Sequence, residues 1–260
     1  QVSAVALRAT AGAAAGAVLV FHDVTRLREL EAMRQDFVAN VSHELRTPLS
    51  LIKSAAETLI DGGRHDPAVT VRFLDIIDKH ANRLTLLIDD LLLLARLDSG
   101  HLELNLRPVP LRSAAQEALD DAALIARARS VTLDNRVPAG IAAQADPARL
   151  QQVFSNLIDN AIKYGRADGR VTVRGRVCGE GRVEFSVRDD GPGIPPEATA
   201  RIFERFYRVD KARSREQGGT GLGLAIVKNV VQAHGGDVRV ESSPGEGTEF
   251  FITLPAAQES

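Results

Sequence analysis

The residues best equipped for chemistry lie in one run, Ser42-His43-Glu44-Leu45-Arg46-Thr47-Pro48-Leu49. Histidine offers a ring nitrogen that is nucleophilic near neutral pH, and the adjacent Glu44 is a carboxylate able to take or balance the ring proton. Apolar residues recur at helical spacing on both sides, at Leu27, Leu30, Met33, Phe37, Val41, Leu45, Ile52 and Leu59, so the run sits in the middle of one long amphipathic helix. At ~100° per residue His43 points roughly 160–200° away from Val41 and Leu59, and about 140° from Leu30, and stands on the polar face. Thr47, one turn later, shares that side. Pro48 removes a backbone donor just after the histidine and should bend the helix there.

Four further motifs lie in the second half of the chain. On a helical pattern, Asn156 and Asn160 are four residues apart and share a face, where their amide oxygens can hold Mg²⁺ as neutral hard ligands. Lys163 follows on nearly the same face and can reach a phosphate. After an apolar run comes Asp189-Asp190-Gly191-Pro192-Gly193-Ile194, where a carboxylate at a strand end can accept the exocyclic amino hydrogen of adenine and the glycines let the backbone approach a base. Then Phe203-Glu204-Arg205-Phe206-Tyr207-Arg208 places aromatic and basic side chains ahead of a polar stretch, residues 209–217, with the composition of a mobile lid. Last, Gly218-Gly219-Thr220-Gly221-Leu222-Gly223-Leu224 opens a helix, so its backbone amides and the positive helix end face an anion such as phosphate. No Gly-Lys-Ser/Thr follows, which excludes a Walker loop.

The elements that must carry these groups are legible in the same periodicities. The first helix should span residues 25–60 and end at Asp61-Gly62-Gly63. A second begins at Asp66-Pro67 and bears a stripe at Val69, Phe73, Ile76, Ile77, His80, Leu84, Leu87, Leu91 and Leu94. Two such helices cannot bury both stripes as a lone hairpin, whereas two hairpins paired into a four-helix bundle can, so the chain should be a homodimer. Residues 101–110 read as a linker and short strand. Beyond them come helices at 111–129, 147–164 and 222–234 and strands at 131–135, 170–178, 182–189, 237–241 and 248–254, the makings of an α/β sandwich. The fold class is α+β, a helical hairpin followed by that sandwich.

With 260 residues the chain is long enough for two modest domains, and a net charge of −2 with 25% charged residues excludes a broad basic surface for nucleic acid. A single cysteine, Cys178, excludes an internal disulfide framework and fits a reducing compartment. Residues 1–20 are apolar but interrupted by Arg8 and Gly12 and short for a membrane span, and read as two strands around a turn. The chain begins with Gln1, which suggests a piece of something longer.

Residues 42–49 resemble, at all eight positions, the phosphoacceptor box of sensor histidine kinases of two-component systems. The four later motifs, in this order, are similar to the nucleotide-binding boxes of the same family's ATP-binding domain, a fold shared with Hsp90, mismatch-repair and type II topoisomerase ATPases. The flavour is nearest the phosphate-starvation sensors. The resemblance covers residues 26–256 and implies a dimerisation and phosphotransfer hairpin at 25–100, a linker at 101–110 and a catalytic domain at 111–260. Residues 1–24 then resemble the remnant of a sensory PAS-like domain. It implies His43 as phosphoacceptor, Glu44 as base, and Thr47 as the residue that holds a water for hydrolysis of the phosphorylated regulator. It also implies Asn160 with Asn156 at Mg²⁺, Lys163 and Tyr164 near phosphates and ribose, and Asp189 on adenine. Gly191, Gly193 and Ile194 would form the base-binding turn, Tyr207 and Arg208 would flank the lid, and Gly219, Thr220, Gly221, Leu222 and Gly223 would lie at the phosphates. The expected substrates are ATP and the receiver domain of a response regulator, in a cytoplasmic portion of an inner-membrane sensor whose upstream segments lie outside this chain. A nucleotide clamp of the Hsp90 class is the rival, which has no use for the His43 helix. A non-catalytic dimeric scaffold is another, which has no use for an intact nucleotide site.

Overall fold

The computed structural model describes residues 2–8, 14–100, 102–179, 181–210 and 219–257. Contacts divide the chain into two compact units, residues 1–47 and 48–260, with the boundary inside the first long helix, between Thr47 and Pro48. In the first unit, β1 (Val2–Arg8) and β2 (Ala14–Phe21) pair antiparallel, with Val2 opposite Phe21. The turn expected between them lies outside the described residues. After Asp23 the chain enters α1 (Thr25–Ile60), which runs unbroken through Pro48.

The second helix, α2 (Pro67–Asp98), starts as the sequence dictates. Asp66 is its N-cap, its carboxylate accepting from the Ala68 and Val69 amides, and Pro67 fills the first turn, where no amide partner is needed. Leu87 and Leu94 of its stripe are buried, as are Leu93 beside them and Ala55 on α1.

The stretch expected to be a linker and short strand holds a strand at its end. β3 (Arg107–Pro110) is hydrogen-bonded to β5 (Ala142–Ala145), and the Asn105 amide donates to the Asp146 carboxylate, so the chain is tied to the sandwich from Asn105 onward. α3 (Leu111–Ala128) and β4 (Thr132–Arg136) follow, then α4 (Pro147–Tyr164), β6 (Arg170–Cys178) and β7 (Arg182–Asp189). A one-turn α5 (Pro196–Thr199), α6 (Gly223–Ala233), β8 (Asp237–Ser243) and β9 (Gly247–Pro255) complete the chain.

One five-stranded sheet has the order β4-β6-β7-β9-β8, with β4 and β6 parallel and the other neighbours antiparallel. Alternation along β7 sends Val183, Phe185 and Val187 into the core. There the Phe185 and Phe154 rings meet with centroids 4.3 Å apart, fastening α4 to the sheet. Residues of opposite parity carry charge: Glu184 pairs with Arg176 and Arg239, and Glu249 with Arg174 and Arg188. Buried His234, just after α6, accepts from the Asp146 amide through Nε2 and donates from Nδ1 to the Val230 carbonyl, tying the end of α6 to the start of α4.

Candidate functional site

A cleft of about 510 Å³ opens among α4, the end of β7, the segment after α5 and the loop before α6, a size usual for small-molecule sites. Its floor is α4. Asn156, Asn160, Lys163 and Tyr164 all line it, because spacings of three and four put them on one helical side while Leu157, Ile158 and Ile162 face the core. The Lys163 ammonium lies 3.3 Å from the Asp159 carboxylate, also in the lining. The Asn156 amide nitrogen is buried with no hydrogen-bond partner among the described residues.

Asp189 ends β7 and is 9% exposed. Burial pushes its carboxyl up to about 6, against the opposing pull of the Gly191 and Thr248 amides that donate to it. The Gly191 amide is 2.8 Å away. Ile194 lines the cleft, its amide held by the Ser242 hydroxyl at 2.8 Å. Gly193 also lines it, in a left-handed conformation (φ 74°), and a Cβ there would stand 2.1 Å from the Ser243 carbonyl oxygen, so no side chain fits.

The anion end is built by crossed backbones. Phe206 is itself left-handed (φ 63°), and its amide donates to the Gly221 carbonyl at 2.8 Å. A Cβ on Gly221 (φ 74°) would meet the Phe206 backbone at 2.9 Å. The helix that follows is capped by Leu222, which has no side-chain oxygen to offer, so the first amides of α6 remain available to an anion. Gly219 turns its carbonyl away, accepting from the Arg208 guanidinium at 2.6 Å. Tyr207 lines the cleft with the Arg201 guanidinium 4.5 Å over its ring.

Most of the residues singled out from sequence therefore converge on one cleft. Of the residues the resemblance assigned to the nucleotide, Gly191 and Leu222 do not line it and are buried, and Asp190 and residues 203–206 of the quoted motifs do not line it either. Gly218 and residues 211–217 of the expected lid lie outside the described residues. The sequence reading missed Leu86 and Asp90 of α2, and Thr248 and Phe250 of β9, which also line the cleft. The alternating pattern of residues 248–254 signalled only a strand, and the stripe of α2 signalled only a bundle.

No group of three or more His, Cys, Asp or Glu side chains able to hold a metal is found among the described residues. A protein-only metal cage is thus absent there, whereas Mg²⁺ arriving with phosphate oxygens needs few protein ligands. Asn156 and Asn160 both line the cleft, and the neutral oxygens of their side-chain amides fit that requirement.

In the first unit His43 is exposed and Glu44 half-buried. The Thr47 hydroxyl donates back to the His43 carbonyl at 3.2 Å, on the polar side that periodicity assigned to both residues. No helix of the described residues is long and apolar enough to cross a membrane.

Comparison with known proteins agrees with this geometry in both halves. Residues 33–100 match the His Kinase A (phospho-acceptor) domain, and residues 145–258 match the histidine kinase-, DNA gyrase B- and HSP90-like ATPase family. The sensor protein kinase WalK of Staphylococcus saprophyticus is 40% identical over 246 residues, which is 94% of this chain and 40% of that protein. Curated relatives of this kind are matched over only 40% to 59% of their own length. Among solved structures, full-length ShkA in complex with AMPPNP is 32% identical with a TM-score of 0.67, covering 86% of this chain and 46% of that one. The mycobacterial sensor histidine kinase MprB is 33% identical with a TM-score of 0.51, covering 59% of this chain and 99% of that one. With a phospho-acceptor helix pair and an ATPase-type sandwich joined in one chain, this protein belongs to the sensor histidine kinases of bacterial two-component systems.

Proposed function

We propose that the chain moves the γ-phosphoryl group of ATP to His43 and passes it on to an aspartate of a response-regulator receiver domain. The observation that carries this is the cleft, where a buried carboxylate at Asp189 and an uncapped helix start behind Gly221 face the same space. The likeness to ShkA, whose structure contains AMPPNP, supports a nucleotide as occupant.

Asp189 accepts the adenine amino hydrogens, the amides at the start of α6 hold the phosphates, and Lys163 and Tyr164 reach the phosphates and ribose. Bound with ATP at Asn160 and Asn156, Mg²⁺ supplies charge neutralisation for the phosphates. A ring nitrogen of His43 attacks the γ-phosphorus, the bond to the β–γ bridging oxygen breaks, and ADP leaves with the electron pair. The proton displaced from the ring passes to Glu44, a contribution on the order of 10²–10⁴ in rate. The remainder is positioning and charge stabilisation. The phosphoryl group then goes from His43 nitrogen to a receiver carboxylate. For the reverse hydrolysis Thr47 orients a water once its hydroxyl leaves the His43 carbonyl.

The working form is a homodimer in which a second copy covers the half-buried stripes and the exposed apolar side chains of α1 and α2. The β1–β2 hairpin feeding α1 is the end of an input domain, and the chain is the cytoplasmic part of a membrane sensor. The test is incubation with γ-³²P-ATP and Mg²⁺. A label lost in acid and kept in base identifies a phosphorus–nitrogen bond. An acid-stable label, or phosphate release with no labelled protein, contradicts the proposal.

A further inference from the structure

Helix α2 has a second role that its stripe does not announce. Arg83, Leu86 and Asp90 follow one another at three and four residues and so share one side of the helix. That side lies against the ATP-binding sandwich: the Arg83 guanidinium reaches the Gly219 carbonyl of the phosphate loop at 3.5 Å, and Leu86 and Asp90 are part of the cleft lining. Two turns further on, Asp98, the last residue of α2, forms an ion pair with Arg205 of the segment leading to Tyr207 and Arg208. A carboxylate at a helix C-terminus opposes the helix dipole, so Asp98 gains from the guanidinium that meets it.

We propose that α2 is a removable wall of the nucleotide cleft: the Arg205–Asp98 pair latches the sandwich onto α2, and the Asp90 carboxylate there opposes entry of nucleotide phosphates, so that binding ATP and staying docked work against each other. This rests on the nucleotide reading above and adds to it a contact that regulates the same site.

The surroundings of Asp90 support this. Burial, with Asp89 beside it, pushes its carboxyl up to about 6. The charged or titratable groups sharing the cleft are Asp159, Lys163 and Tyr164 on α4, Asp189 on β7, and Tyr207, Arg208 and Asp210 on the segment after α5, with Arg83 of α2 held at the Gly219 carbonyl. Lys163 is already paired with Asp159, and the Arg208 guanidinium donates to Gly219. A polyphosphate entering the docked cleft therefore adds negative charge beside Asp90. Undocking removes Asp90 from the cleft and with it the repulsion.

The experiment is calorimetric titration of the whole chain with Mg-ATP and Mg-ADP at pH 7.5 and 5.5, comparing wild type, Asp90→Asn, Asp98→Ala and the double variant, with thermal melts to establish folding. Asp90→Asn is near-isosteric and should tighten Mg-ATP on the order of 3–10-fold at pH 7.5, and Mg-ADP less. The gain should shrink at pH 5.5, where the wild-type carboxyl is protonated. Asp98→Ala should itself tighten binding and erase most of the gain from Asp90→Asn, while the swap Asp98→Arg with Arg205→Asp should return wild-type affinity. An unchanged affinity in Asp90→Asn, with wild-type binding intact, overturns this inference alone. An equal gain from Asp90→Asn with and without Asp98 overturns the latch. Absence of Mg-ATP binding in every chain overturns the nucleotide reading and this inference with it.

Discussion

The two halves of the molecule solve burial differently. The sandwich closes its own core: Phe154, Phe185, Leu157, Ile158, Ile162, Ile226 and Ile252 are all fully buried within one chain. The helix pair does not. Val38, Leu49, Ile60, Val71, Leu74, Leu86 and Leu92 stay between 51% and 69% exposed, and the fully buried large side chains of α2 are Leu87 and Leu94. A sheet covered by three helices is complete at this size, whereas the helix pair leaves large apolar side chains outside its half-buried stripes in water. On the proposed function, the half that carries His43 is the half that a second copy would finish, while the half proposed to hold nucleotide closes its own core.

The largest effect that sharpens this contrast is in the sandwich core. Phe154→Ala should cost about 3–5 kcal/mol of unfolding free energy in denaturant titration. Leu74→Ala, on an exposed position of α2, should leave the sandwich transition in place and weaken dimer association seen by sedimentation. An equal loss from both would break the comparison.

Asp189 tests the cleft through pH. Its carboxyl ionises near 3.8 when unfolded and near 6 when folded, so folding favours the protonated form. That preference is complete below 3.8 and is lost as pH rises through 6, a cost of up to roughly 3 kcal/mol at neutral pH. Asp189→Asn should therefore gain stability on wild type progressively from pH 4 to about 6.5, while binding Mg-ATP at least about tenfold more weakly because the adenine acceptor is gone. A constant stability difference across that range would mean the carboxyl is not held up by burial.

Gly221→Ala forces a left-handed side chain against the Phe206 backbone and should cost about 1–3 kcal/mol, with nucleotide affinity falling further than stability because the phosphate loop must shift. The smallest effect belongs to the helix pair. Asp66→Ala removes the N-cap of α2 and should cost about 1 kcal/mol, read as increased amide exchange near residues 66–70 with the sandwich unaffected.

The same contrast decides what could be read in advance. The bounds of α1, α2, α4, β6 and β7 follow from sustained periodicity and from local signals such as Asp66-Pro67 and Asp61-Gly62-Gly63. β5 escaped because Ala142-Ala143-Gln144-Ala145 has no strand preference of its own; it is extended because β3 pairs with it while Ala143 and Ala145 are fully buried. The glycine and aspartate positions of the cleft were legible since their chemistry depends on backbone approach within a few residues. Asp90, Leu86 and Arg83 were not, because a contact between Arg83 and Gly219 spans 136 residues and nothing local to α2 records it. Thr248 was hidden likewise, meeting Asp189 only through strand register.

On the proposed function, one half of the chain binds the nucleotide and the other receives its phosphate. That division is tested most directly by measuring Mg-ATP affinity and phosphate uptake side by side in His43→Ala and Asn160→Ala. His43→Ala should bind Mg-ATP as wild type does and take up no phosphate, while Asn160→Ala should lose both. Phosphate incorporated into His43→Ala, or binding lost with it, would contradict the division.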